Sequence, residues 1–190
     1  MENKQQMNAR LGAIGENYVQ MRLMQQGWDA FNANSTYNNY KSVDIVCLKP
    51  EEGKAWKPRT ALIQVKTTRK KQFPLGFTID QCLDKNYLRE HVIGPWAFVA
   101  VDSEKDMSTF RCYVLTREQV IELANKAHDW YKLQWKREKE IKGTSVAALN
   151  EEWLYGEIKK TEGATPQHPA FVNPLKGVHT REAWDNIWIE

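Results

Sequence analysis

Four polar residues interrupt segments that otherwise read as buried: Glu16 within a helix-like apolar pattern, Asp44 in Val43-Asp44-Ile45-Val46, and Gln64 and Lys66 in Ile63-Gln64-Val65-Lys66-Thr67-Thr68. Residues two apart on a strand share a face, so Gln64 and Lys66 point the same way, and an acid on a neighbouring strand can point there too. One or two carboxylates, an amide oxygen and an ammonium would then share one pocket. Hard cations such as Mg²⁺ bind through one or two carboxylates together with water and phosphate oxygens. A lysine beside such a cation can orient or help deprotonate a water, or hold charge developing on a phosphate. The set points to cation-assisted chemistry at a phosphate.

The elements that must position these residues are legible from periodicity. Asn8 to about Gly27 reads as a helix with two apolar stripes, Leu11, Ile14, Tyr18 and Met21 on one side and Ala13, Val19 and Leu23 on another, so burial on both sides is expected. Glu16 lies beside Val19 and Leu23 and should face other structure, with Gly12 and Gly15 allowing a close approach. Trp28 to Phe31 reads as a short strand, and the following NANSTYNNYKS as a polar loop. Val43 to Leu48 is a buried strand broken by one acid. Arg59 to Thr68 is the strongest strand signal, with Ile63, Val65 and Thr67 on one face and Leu62, Gln64, Lys66 and Thr68 on the other. Thr78 to His91 suggests one helix, and Trp96 to Asp102 and Phe110 to Leu115 two strands. A second long helix starts at Thr116, with Gln119 completing a capping box and Val120, Leu123, Ala124, Ala127 and Tyr131 forming its stripe.

At 190 residues and with 42% hydrophobic side chains, the chain can bury a core. Every apolar run is shorter than the ~18 residues a membrane span needs, and MENKQQMNAR has no signal-peptide core, so a cytoplasmic protein is expected. Cys47, Cys82 and Cys112 offer neither CxxC pairs nor a disulfide framework. No GxxxxGK[ST] or GxGxxG motif supports a nucleotide cofactor, and there is no serine-hydrolase elbow. His91, His128, His168 and His179 are scattered and receive no role. The net charge of +3 is small. Between Lys49 and Lys71, however, eight basic residues stand against Glu51 and Glu52, an excess of +6 that would attract a phosphate backbone. Taken without its neighbours, that run could equally be a solvated face. Trp130 to Arg137 could stack on bases, but reads better as the packed and solvated faces of one helix.

The order Gly15-Glu16 in a helix, Val43-Asp44-Ile45-Val46, then Ile63-Gln64-Val65-Lys66-Thr67-Thr68 resembles the PD-(D/E)xK nuclease superfamily, whose core is a helix followed by a mixed sheet carrying E, then D, then ExK. The resemblance covers roughly residues 8–120 and is nearest to Holliday-junction resolvases and restriction-type endonucleases. It implies an α/β fold, a restriction endonuclease-like mixed sheet flanked by helices. Residues 1–141 would form this core, with 142–190 a Trp-rich extension packed on the same domain. It further implies a Mg²⁺-dependent DNA endonuclease, with Mn²⁺ as a substitute. Asp44 would be the main metal ligand, Glu16 a second acid, Gln64 a neutral ligand and Lys66 the catalytic amine. Glutamine at position 64 replaces the family's second acid, as in some members, and removes a charge, which favours one-metal chemistry. Thr67, Thr68, Arg69, Lys70 and Lys71, at and just after the end of that strand, would contact DNA. Cutting both strands of a duplex commonly uses two sites, so a homodimer is expected. Two other readings stay open: a nucleic-acid-binding module on the same fold that has lost catalysis, and a scaffold for protein partners through the Trp-rich tail.

Overall fold

The structure, a computed structural model, describes residues 3–35, 42–51, 57–104, 107–135, 143–156 and 170–189. Helix α1 (Lys4–Gln25) starts earlier than its apolar pattern, because Gln6 N–H donates to Asn3 Oδ1 (2.9 Å) and Asn3 N–H to Gln6 Oε1 (3.3 Å). Gly27, at φ 78°, ends it in the left-handed conformation that glycine adopts without strain. The two-sided burial expected of this helix is not found. Gly15, Val19 and Leu23 are buried, whereas Ile14 and Met21 are 36% and 47% exposed, because the sheet takes up only one side of α1.

Strands β1 (Asp29–Asn32), β2 (Ile45–Lys49) and β3 (Arg59–Thr68) follow, then β4 (Gln72–Thr78), α2 (Ile79–Leu83), α3 (Lys85–His91), β5 (Trp96–Glu104), β6 (Met107–Leu115), α4 (Arg117–Trp135), β7 (Val146–Asn150) and α5 (Glu151–Leu154). The fold is mixed α/β: a five-stranded sheet in the order β1-β2-β3-β5-β6 and a two-stranded sheet of β4 and β7, flanked by helices. Within the larger sheet only the β3–β5 pair is parallel. The single helix expected over 78–91 is two helices. Thr78 caps the first, and Asp84 ends it and caps the second by accepting from Asn86 N–H and Tyr87 N–H (2.9 and 3.1 Å). Strand β4 is hidden in the sequence by Pro74 and Gly76, and its pairing with β7 shifts register between Pro74 and Thr78. The capping box at Thr116 is present, with reciprocal bonds to Gln119 of 3.0 and 3.2 Å.

Alternation along β5 divides the core into two layers. Ala97, Val99 and Val101 meet Val19 and Leu23 of α1, while Trp96, Phe98 and Ala100 meet Phe73, Leu88, Leu123 and Leu149 from β4, α3, α4 and β7. The segment after 142 enters both layers: Ala147, Leu149, Leu154, Phe171 and Leu175 join the second, Trp184 and Ile187 the first. Trp130 packs against Trp153 and Phe171, and Tyr131 packs on the same core, while Lys136 and Arg137 lie outside the described residues. All three cysteines are buried and free. No helix among the described residues is long and apolar enough to cross a membrane.

Candidate functional site

Strand β3 is ten residues long, and its two halves have different neighbours. Arg59–Ile63 pairs with β2, whereas Gln64–Thr68 pairs with β5 on the other side. Past Ile63 no strand among the described residues pairs with the β2 edge, and Asp44, just before β2, bonds there. Its N–H donates to Ile63 O (2.9 Å), and its Oδ2 accepts from Val65 N–H (2.7 Å) and from Gln64 Nε2 (2.5 Å). The carboxylate thus takes over from a strand as acceptor for the Val65 amide. A buried N–H left without that acceptor would cost about 1–3 kcal/mol.

Gln64 presents its amide nitrogen to the carboxylate, since only N–H can face it favourably, and this turns its carbonyl oxygen away from Asp44 Oδ2. On the same face, Lys66 Nζ sits 4.9 Å from the centroid of the Trp96 ring. The Cα of Gly76, at φ 85°, walls the ammonium: a Cβ there would lie 3.7 Å from Nζ. Burial lowers the Lys66 pKa from its ordinary value, partly offset by attraction to Asp44. Burial raises Asp44, against the opposing effects of the Val65 N–H, the Lys66 charge and the Gln64 and Asn34 amides.

Glu16 reaches this site from α1. Its Oε2 accepts from Asn32 Nδ2 (2.7 Å), and its pKa is raised by burial, with repulsion from Asp44 adding to the shift against the Asn32 bond. Helix and strand approach closely because Gly15 packs on Thr67, as the glycine pattern suggested; Gly12 has open space beside it and serves no such approach. Asp44 is the link among the four: it bonds Gln64 and feels the charges of Lys66 and of Glu16, while α1 lies on the Val65 and Thr67 face of β3, opposite the face that carries Gln64 and Lys66.

The DNA-contact candidates separate. Thr67 Oγ1 is buried without a partner against α1, and Thr68 is buried with its Oγ1 accepting from Lys70 N–H (3.0 Å), so both belong to the framework. Arg69, Lys70 and Lys71 are exposed. The +6 run is not one patch. Lys49 lies over the Trp28 and Trp188 rings, and Arg59 lies over Trp188 and donates to its carbonyl (2.7 Å), at the opposite end of β3, roughly 30 Å from Arg69 at ~3.3 Å per residue. Lys54 lies outside the described residues.

Among the described residues no group of three or more His, Cys, Asp and Glu side chains could hold a metal ion. A cation here would rest on two carboxylates and on amide oxygens. Such an all-oxygen set fits Mg²⁺, which keeps several waters, and not a thiolate- or imidazole-loving ion. Asp44 Oδ2 already receives two N–H donors, so Oδ1, with Asn34 Nδ2 at 3.4 Å, is the oxygen that a cation would meet.

Sequence reasoning missed Asn32 and Asn34, which hold Glu16 and Asp44, because asparagines in a polar stretch read as turn formers. No family model matches the chain, and neither does any curated protein or solved structure.

Proposed function

We propose that the protein is a Mg²⁺-dependent DNA endonuclease of PD-(D/E)xK type, able to use Mn²⁺, that hydrolyses a phosphodiester by attack of water. The observation carrying this reading is the meeting of Asp44, Gln64 and Lys66 on the half of β3 that β2 leaves uncovered, with Glu16, on the α1 side of the sheet, near enough to Asp44 for the two charges to repel. When bound, the cation supplies Lewis-acid polarisation of the phosphate. Asp44 Oδ1, Glu16 and the Gln64 carbonyl are the oxygens that would hold it. Lys66, its ammonium desolvated, orients the attacking water and stabilises charge on the phosphate; its lowered pKa eases proton exchange with that water. Arg69, Lys70 and Lys71 bind backbone phosphates beside the scissile bond. Cutting both strands would pair two copies of the chain.

One observation favours a second reading, a DNA-binding module without catalysis: Gln64 brings an amide, not an acid, to Asp44 and partly neutralises it. Incubation of wild-type protein with supercoiled plasmid and with a branched junction, in Mg²⁺, Mn²⁺ or EDTA, separates the two. The nuclease reading expects metal-dependent product. Salt-sensitive binding with no product in either metal supports the binding module.

A further inference from the structure

We infer that Asn34 is a further oxygen donor of the cation site, an inference that rests on Asp44 being a cation ligand. Asn34 lies in the short 3-10 turn Ala33–Ser35 that follows β1. Three bonds fix that turn against both acids. Ala33 N–H donates to the Asp44 carbonyl (2.8 Å), Asn34 N–H donates to Asn32 Oδ1 (2.8 Å), and Asn32 uses its Nδ2 on Glu16 (2.7 Å).

Within this well-bonded segment the Asn34 side chain is the exception. Its Nδ2 makes only a long 3.4 Å contact to Asp44 Oδ1, and its Oδ1 is buried with no hydrogen-bond partner. A buried carbonyl oxygen without a partner is costly. Here the unpartnered oxygen belongs to the amide that touches the one Asp44 oxygen left for a cation. Amide carbonyls are ordinary ligands of hard cations. The terminal amide torsion is broad and the contact to Asp44 is weak, so the oxygen can turn toward a cation on Oδ1 with little loss. Gln64 has replaced an acid, and Asn34 makes up the ligand count without restoring the charge.

The test is Mn²⁺ affinity, measured by electron paramagnetic resonance and by the melting-temperature rise Mn²⁺ produces, in wild type, Asn34→Ala and Asn34→Asp, with each metal-free melting temperature alongside. Asn34→Ala should weaken Mn²⁺ binding by about 10- to 100-fold while leaving the metal-free fold as stable as wild type. Asn34→Asp, which keeps an oxygen in place, should bind at least as tightly as wild type. Wild-type affinity in Asn34→Ala, weakened binding in Asn34→Asp, or loss of binding only together with metal-free stability would each overturn the inference and leave the nuclease reading standing. If wild type binds no Mn²⁺, both fall together.

Discussion

A Cβ on Gly15 would overlap Thr67 Oγ1 and come within 2.9 Å of Thr67 Cβ and Cγ2, so α1 seats on β3 only because residue 15 has no side chain. That contact sets how closely the neighbouring Glu16 approaches Asp44. Gly15→Ala should therefore destabilise the fold by about 1–3 kcal/mol through overpacking, despite alanine's better helix propensity of roughly 1 kcal/mol. Thr67→Ala, which removes the overlapping hydroxyl and methyl but keeps the Cβ 2.9 Å away, should recover part of that stability. Denaturant titration of the two single variants and the double variant checks this, because additive effects would show that the residues do not meet.

Separating the basic run into two ends of β3 gives different expectations for its members. Replacing Arg69, Lys70 and Lys71 by alanine should flatten the dependence of log K for duplex binding on log salt by about 0.9 for each phosphate that is no longer neutralised. Arg59→Ala should leave that slope unchanged and lower the melting temperature, since Arg59 holds the Trp188 carbonyl and ring. A salt titration of duplex binding on both variants distinguishes the two ends.

Burial raises Asp44 and Glu16 above their ordinary values of 3.8 and 4.5. The folded chain then holds these protons more tightly than the unfolded chain. Both groups therefore reduce metal-free stability as pH rises from the unfolded values through the raised ones, and the full cost persists above that window. A cation competes with the same protons, so the stabilisation by Mg²⁺ should be small in acid and grow as pH rises through that window. Melting curves with and without Mg²⁺ across the window check the sign. Asp44→Asn should abolish most of the difference.

The backbone plan of the site was legible because its elements carry strong signals. Arg59–Thr68 matches β3 at both ends, since alternation over ten residues specifies one face, and the Thr116 cap marks the start of α4. That Gln64 and Lys66 share a face was also readable, because strand parity fixes it; Asp44, which was read within a strand, lies just before β2 instead. Strand β4 was not, since its pairing depends on β7, more than 60 residues on, and Pro74 and Gly76 suppress its local pattern. Ile14 and Met21 misled because an apolar stripe does not state how much partner surface will meet it. Asn32 and Asn34 were invisible for another reason. Their importance comes from bonds to Glu16 and Asp44 that only the turn after β1 creates.

The nuclease reading stands on Asp44 and Lys66 acting as one reactive centre. Its sharpest test is nicking of supercoiled plasmid by wild type and Lys66→Met in Mg²⁺ and in EDTA, with duplex binding and melting temperature measured on the same samples. Lys66→Met should nick about 10²- to 10⁴-fold more slowly while still folding and binding DNA, the melting temperature on the same samples separating lost chemistry from the lost attraction to Asp44. Wild-type nicking rates in Lys66→Met, or no Mg²⁺-dependent nicking by the wild type itself, would refute that role.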